Sequence, residues 1–155
     1  MLLNNPDSFV AEWSHNKIFF SAFWAWFVAQ FIKVALGVIR ERRFNFKWFV
    51  GSGGMPSSHS AMVSALTTAI ALYQGFDSGL FAAAFGFSMI IMFDAQGVRH
   101  QSGKQAEALN KILDDIYTQK GLQEEPLKEL FGHTPMQVFA GAFLGVLIAL
   151  LLYRI

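Results

Sequence analysis

Four apolar runs dictate what this chain can become. They extend over about Ile18 to Ile39, Ser60 to Tyr73, Leu80 to Phe93 and Met136 to Tyr153. The first and last are long enough for helices of about 20 residues that cross a bilayer. Within hydrocarbon only helices and closed barrels satisfy every backbone N–H and C=O. The expected fold is therefore all-α, an integral membrane helical bundle with about four spanning helices, built as a single domain over residues 1–155. Composition agrees: 54% of residues are hydrophobic and only 15% are charged, where soluble domains carry about 25%. No cysteine is present, which excludes disulfides, thiolate catalysis and zinc–cysteine sites. The start of the chain, with Asp7 and Glu12, lacks the pattern of a cleaved leader. Trp13 is placed for the headgroup level of a membrane.

The second run is short and rich in Ala, Ser and Thr, so it suits close packing inside a bundle. Gln74-Gly75-Phe76-Asp77-Ser78-Gly79 reads as a tight turn. From Gln105 to about Thr118, Ala108, Leu109, Ile112, Leu113 and Ile116 recur at helical spacing, giving an amphipathic helix along the membrane or the bundle. The last run carries Gly141 and Gly145, a small-xxx-small pair. Lys33 interrupts the first run and is read as a lysine snorkelling to the interface.

Positive charge is unevenly placed. The connection after the first run holds Arg40, Arg42, Arg43 and Lys47, and that after the third holds Arg99, Lys104, Lys111, Lys120 and Lys128. The turn between the second and third runs holds no Lys or Arg. Basic connections stay in the cytoplasm, so both termini are expected outside and both basic connections inside. That topology puts three polar clusters at one cytoplasmic face of the inner membrane: Gly53 to His59, Asp94 to Gln105, and His133.

The chemistry concentrates in Gly53-Gly54-Met55-Pro56-Ser57-Ser58-His59-Ser60. Glycine permits a tight turn and close approach of backbone N–H groups. Serines cap the following helix, whose N-terminus attracts anions. The imidazole of His59 supplies a proton near neutral pH. These are the parts of a phosphate cradle. Around it the topology gathers His133, Asp94, Arg99, Lys104, Ser57 and Ser58. Arginine and lysine suit phosphate oxygens. Two histidines can divide hydrolysis of a phosphoester, one attacking phosphorus and the other protonating the leaving alkoxide. His100 reads as solvated, and His15 falls on the opposite face.

Pro56-Ser57-Ser58-His59 resembles the Pro-Ser-Gly-His signature of the type-2 phosphatidic acid phosphatase and vanadium haloperoxidase superfamily. Gly132-His133-Thr134-Pro135, followed by Val138-Phe139-Ala140-Gly141-Ala142, resembles its third motif. Residues 16–155 as a whole are similar to a small divergent branch of bacterial and plastid membrane proteins. The resemblance implies His133 as nucleophile, His59 as general acid, and Ser57, Ser58 and the backbone near Gly54 as phosphate ligands. The chain departs from the superfamily in three places. The superfamily's first motif, a lysine and an Arg-Pro pair well upstream, has no match, since Lys47 is too close to Pro56 and no Arg-Pro pair occurs; no arginine lies between Lys128 and His133; and Gln137 stands where an aspartate is expected four residues after the histidine. Asp94, Arg99 and Lys104 are expected to replace the missing groups.

The expected activity is hydrolysis of a phosphomonoester of a membrane lipid, of the phosphatidylglycerol phosphate or phosphatidate type, without metal or other cofactor. The expected partners are the lipid substrate and the bilayer, with a homodimer plausible on grounds of size and no nucleic acid. Two rivals stand beside it. One is a non-catalytic membrane subunit that binds anionic lipid headgroups or a protein. The other is a metal-dependent hydrolase using Asp94 with His59 and His133.

Overall fold

The computed structural model describes residues 14–42, 54–120 and 133–155. Asn45, Lys47, Gly53, Gly121, Pro126, Lys128 and Gly132 lie outside the described residues. Among the described residues five helices follow in order: α1 Lys17–Glu41, α2 Ser58–Gln74, α3 Gly79–Gln96, α4 Val98–Lys120 and α5 Pro135–Tyr153. No strand occurs among the described residues.

The starts of α1, α2, α3 and α5 are written in their caps. Asn16 Oδ1 accepts the Phe19 N–H at 2.9 Å, and Ser78 Oγ accepts that of Phe81 at 3.1 Å. Ser57 caps α2, and Thr134-Pro135 opens α5 with proline in the first turn, where a missing N–H costs nothing. The turn between α2 and α3 rests on Gly75, whose φ of +90° is open to glycine and strained for other residues.

Among the described residues three helices are long and apolar enough to cross a membrane: α1, the stretch Gly79–Leu113 that contains α3, and α5. The second apolar run forms α2, which has 17 residues and spans about 25 Å. It is the centre of the bundle, packed against α1, α3 and α5. Ten of its residues are buried, most of them Ala, Ser or Thr. The expected amphipathic segment is the far part of α4, which runs unbroken from Val98 to Lys120.

Small residues set the packing. The buried stripe of α1 is Ser21, Ala25, Ala29, Gln30 and Lys33; that of α5 is Val138, Gly141, Gly145 and Ala149. Ala25, Ala29, Ala61, Ala65 and Ala149 form one cluster where α1, α2 and α5 meet. Such faces let backbones approach closely. Between α2 and α3 the Thr67 and Ser88 hydroxyls lie 2.7 Å apart, and Ser88 also donates toward the Ala84 carbonyl at 2.8 Å. A hydrogen bond of this kind in a membrane bundle contributes about 1 kcal/mol.

Chain direction then sorts the ends. The Tyr73 and Tyr153 rings meet with centroids 5.1 Å apart, and Lys17 lines one hollow with Leu152 and Ile155. The start of α1, the α2–α3 turn and the end of α5 therefore share one end. The starts of α2 and α5 and the end of α3 share the other, where the polar clusters sit.

Candidate functional site

The turn before α2 begins at Gly54, whose φ is +97°. A side chain there would be strained, and its Cβ would lie 3.2 Å from Cγ and 3.4 Å from Cδ of Lys33. The aliphatic stem of Lys33 thus runs along the bare Gly54 backbone. Lys33 is only 7% exposed, so the snorkelling expectation is corrected: this lysine faces the bundle. The reason is rotational. Lys33 falls on the same four-residue repeat as Ser21, Ala25 and Ala29, which is the packing face of α1. That repeat was the available signal. Gln30, 4% exposed, shares the face and was not singled out from sequence.

The Met55–Pro56 peptide is cis. Ser57, Ser58 and Ser60 are all buried. Ser57 Oγ takes the Ser60 N–H at 3.4 Å and lies 3.0 Å from Ser60 Oγ, which donates to it. Its oxygen holds the turn together. The first-turn N–H groups of Ser58 and His59 have no acceptor within their own helix, as in any helix, and that end carries partial positive charge. His59 is half-buried, the second residue of α2.

Two main-chain hydrogen bonds join this turn to the other segments. The Ser57 N–H donates to the Gln137 carbonyl at 3.0 Å, and the His133 N–H donates to the Ala95 carbonyl at 3.1 Å. The first requires Gly141, where a Cβ would lie 3.1 Å from both N and C of Ser57 and closer still to its carbonyl oxygen. His133 is 3% exposed. Its Nδ1 lies 3.2 Å from Gln137 Oε1, and the same oxygen accepts the Thr134 N–H at 3.1 Å. This is the glutamine half of a capping box, turned to hold an imidazole as well.

Through Ser57 to Gln137 and His133 to Ala95, the starts of α2 and α5 and the end of α3 adjoin; Gly54, Ser58 and half-buried His59 belong to the first of these segments, and half-buried Asp94, adjacent to Ala95, to the last. Arg99 falls in the first turn of α4, beyond the break at Gly97. Lys104 is exposed and lies on α4 seven residues past Gly97, about 10 Å along the helix. Of the expected cations it is set apart, whereas Lys33, not expected, is beside the turn. Among the residues whose side chains are described, no group of three or more His, Asp or Glu side chains is placed to hold a metal ion.

Residues 14–148 match the divergent PAP2 family. The chain belongs to that family. It is 44% identical over 135 residues to the uncharacterized membrane protein YuiD of Bacillus subtilis (strain 168), covering 80% of this chain and 85% of that one. No solved structure matches.

Proposed function

We propose that this divergent PAP2 protein is a phosphatase for a phosphomonoester of a membrane lipid, of the phosphatidylglycerol phosphate or phosphatidate type. The observation that carries the reading is a buried imidazole, His133, anchored to the end of α3 and one turn from the carbonyl that receives Ser57. In the proposed reaction the Nε2 lone pair of His133 attacks phosphorus, and the bond from phosphorus to the lipid oxygen breaks. His59 gives its proton to the departing alkoxide. Water then attacks the phosphohistidine, His59 takes its proton, and the nitrogen–phosphorus bond breaks to release inorganic phosphate. The N–H groups at the start of α2 and the ammonium of Lys33 stabilise the equatorial oxygens. Arg99 adds charge from α4, and Asp94 steadies the site from α3; Lys104 has a lesser part, consistent with its exposure.

A lipid substrate fits the bundle. A cavity of about 410 Å³ lies among α2, α3 and α5, lined by Thr67, Phe85, Ser88, Met92 and Val146 among others. It offers an apolar wall along which an acyl chain lies while its phosphate reaches the turn. In the proposed topology all four apolar helices, α2 included, traverse the inner membrane, the site faces the cytoplasm, and the protein is a homodimer.

The test is phosphate release from short-chain lipid phosphates by the purified protein, with and without chelator. Activity that survives chelator supports the two-histidine mechanism, and loss in chelator favours the metal-dependent rival. Lys33→Met, which keeps the stem against Gly54, is expected to lower kcat/KM by about a hundredfold with little change in melting temperature. Lys104→Ala is expected to cost less than tenfold. The reverse order would remove Lys33 from the site.

One observation favours the non-catalytic rival: two of the expected cations lie on α4, and one of them is exposed. Binding of anionic lipid vesicles without any phosphate release would select it.

A further inference from the structure

We infer that Gln137 is a positioning residue that holds His133 in the tautomer with its proton on Nδ1, leaving a lone pair on Nε2. The deduction starts from a group that can only donate. The Thr134 N–H faces the Gln137 side chain at 3.1 Å, so the atom it meets is the amide oxygen rather than the nitrogen. That orients the amide. The same oxygen lies 3.2 Å from His133 Nδ1 and can only accept there. Nδ1 therefore carries the hydrogen. A neutral imidazole has one N–H, so the remaining nitrogen, Nε2, is the basic and nucleophilic one. Nε2 is itself buried, and the ring is fixed from below by its own main chain, through the bond to Ala95.

The catalytic consequence rests on the phosphatase reading; the tautomer does not. A carboxylate at this position would hold the same nitrogen and also favour the charged imidazolium. An amide does the first without the second. His133 thus stays neutral and ready to attack at lower pH than a carboxylate-paired histidine. After attack the ring keeps its Nδ1 proton and a positive charge, since an amide oxygen takes no proton. That leaves phosphorus bonded to a good leaving group, so water displaces it readily.

The experiment uses the full chain in detergent, labelled with nitrogen-15 at histidine, with His133→Asn used to assign the His133 signals. In the unchanged protein, near neutral pH, the spectrum is expected to show hydrogen on Nδ1 of His133. Hydrogen on Nε2 would overturn the inference, whether or not the protein turns over substrate. Gln137→Leu is expected to lose the preference for Nδ1; retention of it would show that another group sets the tautomer. Should that variant not fold, the unchanged protein still decides the point. Gln137→Glu keeps both acceptor contacts and adds charge, so the acid limb of kcat/KM is expected to move up by about one to two pH units. An unmoved limb would remove the positioning role. The titratable and charged groups that other elements bring to this end include Lys33, Arg40, Glu41 and Arg42 from α1, His59 on α2, Asp94 on α3, and Arg99 and Lys104 on α4; they are the same in both proteins. If the unchanged protein releases no phosphate, the phosphatase reading fails, and the nitrogen spectrum still tests the tautomer.

Discussion

Alanine in place of His133 is expected to abolish phosphate release from short-chain lipid phosphates, on the order of a thousandfold or more. The protein should still purify with the helical content of the unchanged chain. What is lost is narrowly defined. The bond from residue 133 to Ala95 is main chain and survives the substitution. So does the hydrogen bond from Thr134 to Gln137 Oε1, which keeps the start of α5 in place. The imidazole is nearly fully buried, so its removal leaves a hole, and His133→Asn is the partner variant that fills part of it. Both are expected to be equally inactive. Activity within tenfold of the unchanged protein in either would exclude His133 as nucleophile and end the phosphohistidine mechanism.

The second large effect is structural. Leucine at Gly145 is expected to destabilise the bundle beyond the roughly 1–3 kcal/mol usual for an overpacked core position. Even a Cβ there would lie 2.9 Å from the Ala61 carbonyl carbon and 3.0 Å from the Ala65 nitrogen, and nearer to the Ala61 oxygen. The neighbours are backbone, so nothing can swing aside. Thermal unfolding followed by circular dichroism in detergent measures it, and an unchanged melting temperature would show that α2 and α5 do not pack as described. Gly86, by contrast, has open space around its Cβ position, and Gly86→Leu serves as the control. At Gly141 the same crowding falls on Ser57, so alanine there is expected to disturb the turn before it unfolds the bundle.

The helical class and the apolar helices were legible in the sequence, because hydrophobic length is a local signal, and the gathering of three distant segments at one end was legible in the placement of positive charge. The rank of α2 was not. Its Ala, Ser and Thr content announces close packing, but nothing local says that it is the helix against which α1, α3 and α5 pack. Lys33 shows the same limit. A lone lysine in an apolar run fits either a lipid-facing or an inward position, and the choice depends on rotation about the helix axis. The spacing Ser21, Ala25, Ala29, Lys33 carries that information, legible once the small residues are read as a seam. For Lys104, exposed on α4, the charge rule names a side of the membrane, which is a far coarser statement than placing the lysine on a ligand. Gln137 looked like a defect against the superfamily pattern, since its partner on the Thr134 backbone is visible only in three dimensions.

Both joints of the site are peptide-to-peptide. A survey that replaces side chains one at a time would pass over Ala95 as silent, and would charge the effect of Gln137 to its amide alone, although its carbonyl receives Ser57. Only a change that deletes the N–H itself, such as proline or an ester linkage at residue 133 or 57, cuts these joints. Here the fastenings are in the chain's common thread, and the variable letters merely hang from it.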